Sequence, residues 1–127
     1  ADEPLYIAYR YIDALTNGDS MEDRIPEFGR FAEPSLLILV SLSDGPKHGY
    51  AIMTDIEAST GRPMGAGTLY AALARLEEQG LIEALKPVDR RRPYRLTGVG
   101  VSTLAEQLRG LSDFARHGLR RLGDAQR

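Results

Sequence analysis

Apolar residues in the middle of the chain repeat with the period of α-helices. The run from Leu36 to Leu42 is apolar on nearly every side, so it predicts a buried helix that starts near Pro34. The stretch SDGP, residues 43–46, is expected to end that helix. A second helix is predicted over about residues 48–59. Its inward-facing side chains are expected to be Tyr50, Ile52, Met53 and Ile56.

The stretch GTLYAALARLEEQG, residues 67–80, predicts a third helix with a single apolar stripe. Leu69, Leu73 and Leu76 follow the spacing i, i+4, i+7 that places side chains on one helix face. Gly80 is placed to end this helix as a left-handed cap. The preceding TGRPMGAG, residues 60–67, is typical of a loop.

After Gly80 the spacing of apolar residues shortens to the two-residue period of β-strands. Residues 81–85 predict one short strand, and residues 94–96 predict its partner. Residues 87–93 between them form an arginine-rich loop, so the prediction is a β-hairpin with a charged tip. The predicted fold class is therefore mainly α with a small β-hairpin (α+β).

A last helix is expected from a cap at Thr97 to about Leu122. Residues spaced alternately by three and four form a seam along it: Val101, Leu104, Leu108, Leu111, Ala115, Gly118 and Leu122. Two interpretations stay open, packing on the chain's own core or pairing with a second copy. Pairing is favoured because a helix this long extends past a core of this size.

Residues 1–32 are predicted to form a helical arm and an acidic linker. Leu5, Ala8 and Ile12 share one helical stripe, which is expected to end near Asn17 and Gly18. The arm is expected to pack across a partner's C-terminal helix, with a local lid or a tail as alternatives. This divides the chain into the arm (1–32), a central domain (33–97) and a dimerisation helix (98–127).

The net charge of −2 conceals an uneven distribution along the chain. Residues 1–33 hold eight acidic and three basic side chains, whereas the remainder is slightly basic. The densest cluster, KPVDRRRPYR at residues 86–95, has five positive charges against Asp89 alone. Phosphate attraction acts over a Debye length of about 10 Å, so this local cluster matters more than the sum.

The composition of the chain excludes several classes of site and of protein. The chain has no cysteine, which excludes disulfides and thiolate metal sites and favours a cytoplasmic location. With only His48 and His117 as histidines, neither a metal nor another cofactor is expected. The longest apolar run, Leu36–Val40, is far shorter than the ~20 residues of a membrane-spanning helix, and no signal peptide is visible.

Three helices followed by a hairpin is the order of a winged helix-turn-helix. In that fold one helix enters the DNA major groove and the hairpin wing reaches along the backbone. Arg75 is then placed to read guanine, and Thr68 to contact a phosphate or a thymine methyl. Arg90, Arg91 and Arg92 are expected to bind phosphate or the minor groove. The alternative is that both surfaces are simply solvated.

Three segments together resemble the PadR family of bacterial transcriptional regulators. They are EPSLLILVSLSDGPKHGYAIMTDIE, GTLYAALARLEEQGLIE and RRRPYRLTGVG, and the likeness spans about residues 34–100. The resemblance implies a homodimeric repressor whose third helix and wing bind a palindromic operator in double-stranded DNA, with the C-terminal helix dimerising.

The resemblance also implies candidate site residues. His48 and Tyr50 come to the start of the second helix near the DNA backbone, although a packed core role for Tyr50 is equally open. The DNA-binding candidates are Lys47, His48, Tyr50, Thr68, Tyr70, Ala71, Arg75, Arg90, Arg91, Arg92 and Tyr94. The dimerisation candidates are Leu5, Ala8, Ile12, Leu104, Leu108, Leu111, Ala115, Gly118 and Leu122.

An effector pocket is harder to place. Some members of the family stack flat aromatic ligands on tryptophan at the dimer interface, and this chain has no tryptophan. An aromatic pocket would have to use Tyr6, Tyr9, Tyr11, Phe28, Phe31 or Phe114.

Two other classes compete with a regulator. A winged helix used for protein contact would bring the arginines against an acidic partner instead of DNA. An enzyme is poorly supported, because GRPMGAGT lacks the lysine that a phosphate-binding loop needs before Thr68.

Overall fold

The computed structural model describes residues 34–126, which form helices around a small antiparallel sheet. The predicted stripe of Leu5, Ala8 and Ile12 lies outside the described residues. The elements are α1 (Pro34–Ser41), a 3₁₀ helix (Leu42–Asp44), β1 (Lys47–His48), α2 (Gly49–Thr60), α3 (Ala66–Glu78), β2 (Ile82–Ala84), β3 (Pro93–Leu96) and α4 (Gly98–Ala125).

The sheet has the strand order β1-β3-β2, with both pairs antiparallel. The predicted hairpin is confirmed, because Ile82 pairs with Leu96 and Ala84 with Tyr94. Strand β1 was not predicted, and it places His48 opposite Pro93 on the other edge of β3. The start of α2 is therefore hydrogen-bonded to the wing.

The core lies where α1, α2 and α3 meet the first strand of the hairpin. The predicted stripe of Leu69, Leu73 and Leu76 is buried there, at 1% exposure or less. Ile38, Ile52 and Ile82 complete the group of largest buried side chains. Each such residue contributes roughly 1.5–3 kcal/mol by leaving water.

Gly80 ends α3 in the left-handed conformation, with φ 76°, as the sequence predicts. Its N–H donates to the carbonyl of Glu77 at 3.0 Å, and the N–H of Leu81 donates to that of Leu76 at 3.0 Å. This pair of bonds is the Schellman motif, which satisfies the last carbonyls of a helix and turns the chain sharply. The turn sends the chain directly into β2.

Thr97 caps α4, which is also as predicted. Its Oγ1 accepts the N–H of Gly100 at 3.0 Å, and its hydroxyl donates to the carbonyl of Gly80 at 2.6 Å. One side chain thus satisfies a free amide at the start of α4 and ties it to the end of α3.

Two burial predictions are wrong. Tyr50 was expected to face inward, but its side chain is 66% exposed. Successive residues of an α-helix turn by about 100°, so burying Ile52 rotates Tyr50 to the opposite side. Val40 is 44% exposed, so α1 is not buried on every side.

Helix α4 is 28 residues long, which is about 42 Å at 1.5 Å per residue. Leu104, near its start, is only 5% exposed and belongs to the core. This corrects the assignment of Leu104 to a dimer seam, because its surface is already covered by its own chain. Beyond Leu104 the helix is mostly exposed.

Candidate nucleic-acid interface

The outer face of α3 carries very small side chains. Leu69 and Leu73 fix the buried face, and the positions about 180° away on the helix are Gly67, Ala71, Ala74 and Glu78, all exposed. Glu78 is the last residue of the helix, so the rest of this face is small. Small residues there let a partner surface come close to the helix backbone. Of the predicted contacts, Ala71 therefore lies at the centre of the outward face.

The longer polar side chains of α3 lie on its two flanks. By helical spacing, Thr68 and Arg75 share one flank, and Tyr70 and Glu77 share the other. All four are exposed. The predicted contacts Thr68, Tyr70 and Arg75 therefore frame the strip of small residues, and Ala71 lies within it.

Tyr70 also packs against the start of α2. A β-carbon added to Gly49 would lie 2.6 Å from the Tyr70 hydroxyl oxygen and 3.0 Å from the adjoining ring carbon. Tyr70 remains 54% exposed, so its ring spans from α3 to α2 along the surface. Sequence reasoning missed this contact, although the glycine between His48 and Tyr50 was the signal for it.

The tip of the wing is a two-residue turn. Val88 and Arg91 exchange two backbone hydrogen bonds, of 2.7 and 2.9 Å. Asp89 and Arg90 between them both have positive φ, 51° and 67°. This is the geometry of a type I′ hairpin turn, which matches the twist of the strands but usually takes asparagine and glycine.

Three adjacent arginines are exposed at this tip. Arg90 occupies the turn, and Arg91 and Arg92 follow it towards β3. Among residues 34–126 none of the three forms an ion pair, whereas Arg95 pairs with Glu83 at 2.5 Å across the hairpin. The free positive charge of the wing is therefore concentrated at its end, as predicted.

His48 lies between α2 and the wing. Its Nδ1 is 3.3 Å from the N–H of Ala51, which makes His48 the N-cap of α2. Its Nε2 is 3.4 Å from an Nη of Arg91, a residue 43 positions later in the chain. The pairing of β1 with β3 brings these two predicted DNA-binding residues together.

The Lys47 side chain does not bond to His48 or Arg91 and bonds within its own segment instead. Its Nζ donates to the carbonyl of Ser41, at the end of α1, and forms an ion pair with Asp44. The hydrogen bond from Lys47, and then its charge, lowers the pKa of the Asp44 carboxyl. The Lys47 side chain is only 19% exposed, so its ammonium group interacts with Ser41 and Asp44 of its own domain.

Tyr94 is half-buried on β3, between the wing and α3. Burial raises the pKa of its hydroxyl, Glu77 and Tyr70 raise it further, and Arg92 opposes them. The phenol is therefore uncharged at neutral pH.

A second surface, the apolar face of α4, consists of exposed side chains beyond the core. Its members include Leu108, Leu111 and Leu122, which are 43%, 52% and 61% exposed. Ala115 and Gly118 lie half-buried on the same side. Phe114, at 74% exposure, flanks this face. The sequence seam had omitted it because it falls one position before Ala115.

Other chemistry is not apparent in the described region. Residues 34–126 contain no group of three or more acidic, histidine or cysteine side chains placed to hold a metal ion. None of their helices is long and apolar enough to cross a membrane.

The three-helix arrangement, the hairpin and the cationic tip define a winged helix-turn-helix domain. The model of the PadR-like family of transcriptional regulators matches residues 38–106. The chain belongs to that family. Its members are regulators, not enzymes.

Two individual proteins are similar in sequence to this chain. A transcriptional regulator of Mycobacterium tuberculosis is 40% identical over 93 residues, covering 71% of this chain and 85% of the relative. An uncharacterized 37.1 kDa protein of a Streptomyces fradiae transposon is 41% identical over 83 residues, covering 65% of this chain. The match covers only 24% of that longer relative.

A solved structure supports the fold. The PadR family transcription regulator of Clostridium difficile superposes with a TM-score of 0.65 at 23% identity. The match covers 72% of this chain and 99% of that structure.

Proposed function

We propose that the protein is a homodimeric repressor that binds an inverted-repeat operator through α3 and the wing. The observation that carries the proposal is the position of Arg91 beside His48 at the start of α2, next to Gly49, which lies against Tyr70 of α3. The wing and the Tyr70 flank of α3 thus adjoin the same segment. A duplex seated on α3 would therefore meet the wing as well.

The two elements have different roles in this proposal. The outer face of α3 carries mostly small side chains, and the single cation of this helix is Arg75 on one flank. We therefore expect α3 to discriminate between base pairs more than it attracts DNA. Arg90, Arg91 and Arg92 supply most of the attraction to phosphate. Each phosphate contact contributes about 0.9 to the slope of log affinity against log salt.

Dimerisation is assigned to the apolar face of α4. A patch of exposed leucines along a helix is unusual on a monomeric surface and typical of an interface. The half-buried Ala115 and Gly118 leave room for a second helix to approach closely. A symmetric pair places its two recognition helices about one DNA turn apart, ~34 Å, which accounts for an inverted repeat.

Release by a small-molecule effector completes the proposal. Phe114 is the aromatic side chain that α4 exposes beside its apolar face, so a flat ligand bound at the dimer interface would contact it. Cationic or phenolic aromatic compounds are the first to test.

Footprinting on the DNA upstream of the protein's own gene tests the proposal, with and without such compounds. The expected result is a protected inverted repeat, lost in the presence of an effector. Replacing Arg91 and Arg92 with alanine should lower the affinity about 10-fold or more and reduce the salt slope by about 2.

The matched control replaces Arg109 and Arg116, two exposed arginines on the polar side of α4. It removes the same charge but should leave the salt slope unchanged. Binding that never exceeds the non-specific level would instead favour a winged helix that contacts an acidic protein.

A further inference from the structure

We propose that His48 and Arg91 together bind one phosphate of the DNA backbone, with the imidazole Nε2–H and the guanidinium as paired donors. The inference rests on the proposed DNA-binding function. It adds one defined contact, made jointly by the start of α2 and the wing.

The two groups that contact the His48 ring are both hydrogen-bond donors. The N–H of Ala51 lies 3.3 Å from His48 Nδ1, and an Nη of Arg91 lies 3.4 Å from Nε2. A backbone amide and a guanidinium are always donors, whereas a neutral imidazole has one accepting nitrogen and one donating nitrogen. Only one of the two contacts is therefore a hydrogen bond.

The helix cap is the contact that persists. The N–H of Ala51 lies in the first turn of α2, where the helix itself provides no acceptor and holds the amide in place. Arg91 is an exposed side chain that can reorient. His48 Nδ1 therefore accepts from Ala51, and Nε2 carries the proton.

This assignment leaves two donors side by side with no acceptor among residues 34–126. His48 Nε2–H and the Arg91 guanidinium are 3.4 Å apart on an exposed surface. A single anionic oxygen placed between them would satisfy both, and a charge-assisted hydrogen bond is about twice as strong as a neutral one. The chemistry that fits is a phosphate.

A backbone phosphate fits better than a free anion because of the neighbouring groups. Arg90 and Arg92 flank Arg91 along the wing, and exposed Tyr50 follows the cap on α2. The sheet register, with His48 opposite Pro93, keeps the backbone of β1 beside the wing, so the Arg91 side chain stays within reach of the group that His48 contacts. A strand that follows the wing therefore reaches both donors at one phosphate.

Two substitutions at His48 separate the cap from the phosphate contact. In His48→Asn the side-chain oxygen can still cap the helix, but no donor reaches the position of Nε2. In His48→Gln the amide nitrogen can reach that position, but the cap is lost. Arg91→Ala removes the other donor, and Arg92→Ala is the matched wing control.

The experiment uses the full chain and a duplex selected from a random pool, with single phosphates replaced in turn by neutral methylphosphonate. We expect His48→Asn and Arg91→Ala each to weaken binding about 10-fold, and the double variant no more than about 10-fold. One methylphosphonate should weaken the wild type and lose its effect in both variants. His48→Gln should recover most of the affinity that His48→Asn loses but unfold at a lower temperature than the wild type.

Several outcomes overturn the proposal. If the losses from His48→Asn and Arg91→Ala multiply, as those from His48→Asn and Arg92→Ala should, the two residues do not share a phosphate. The same follows if they respond to different methylphosphonates. If inorganic phosphate alone shifts the His48 ring signals as much as the duplex does, the site takes free anions. A wild type that binds no duplex specifically would instead refute the proposed function.

Discussion

A β-carbon added to Gly100 would lie 1.9 Å from the carbonyl oxygen of Leu81. The first turn of α4 therefore rests directly on the backbone that joins α3 to β2. The N–H of Thr97 donates to the same carbonyl at 3.1 Å, which holds the two segments together.

Replacing Gly100 with alanine should destabilise the domain by about 3 kcal/mol, because backbone on both sides must move to admit the methyl group. Thermal and urea unfolding followed by circular dichroism would measure the loss. Gly98→Ala is the control, since a β-carbon there meets nothing within 4 Å. It should be neutral or stabilising by up to about 1 kcal/mol. Equal losses in both variants would contradict the contact.

Arg90→Gly should stabilise the wing while weakening DNA binding. Arg90 has a positive φ of 67°, which costs a non-glycine residue about 1 kcal/mol. Glycine relieves that cost, partly offset by the greater freedom of the unfolded chain. Arg92→Gly removes the same charge outside the turn and should lower stability. The proposal for the tip fails if Arg90→Gly unfolds more easily than Arg92→Gly.

Gly49→Ala should displace Tyr70 with little cost in stability. The added methyl group would contact the end of the Tyr70 side chain, which is exposed enough to move away. We expect a loss below about 1 kcal/mol and a clear change in the ring signals of Tyr70 by NMR. In a Tyr70→Ala background the cost of Gly49→Ala should vanish. If Gly49→Ala still lowers stability in the Tyr70→Ala background, the loss comes from the start of α2 and not from contact with Tyr70.

Leu111→Asp should prevent dimerisation without unfolding the domain. Leu111 is 52% exposed on the apolar face of α4, and a carboxylate there would be buried in the proposed seam. Sedimentation equilibrium should find a monomer at concentrations where the wild type is a dimer. Arg109→Asp places the same group about 200° around the helix and should stay dimeric. A wild-type monomer would refute the assignment.

Tyr94 should make stability fall at alkaline pH. Its folded-state pKa lies above the ordinary value of 10.0, mainly through burial, so the folded protein favours the neutral phenol. This contribution is fully present below pH 10.0 and is lost as the pH rises through the folded-state pKa. The unfolding free energy of Tyr94→Phe relative to wild type should therefore increase above that pH. Parallel pH profiles for the two proteins would contradict it.

The sequence predicted the features that follow from local pattern. The leucine stripe of α3, the Gly80 and Thr97 caps and the arginine-rich hairpin each depend on residues close in the chain. Periodicity and cap chemistry determine such features, so they could be deduced before the fold.

The errors and omissions arise from contacts between distant segments. Strand β1 has two residues, too few for any alternation to be visible. The ion pair of Lys47 with Asp44 was not predicted, because it depends on how the chain turns after α1. The close approach of Gly100 to Leu81 could not be predicted from the sequence, because it depends on how the start of α4 packs against the chain that follows α3.

The pairing of β1 with β3 ties the start of α2 to the wing through backbone hydrogen bonds. Tyr70 of α3 lies against the same start of α2, so the recognition helix and the wing meet at one segment. A duplex that docks on both must match their spacing by its own groove width and bend. Base steps that the protein never touches would then contribute to selectivity through the energy needed to deform them.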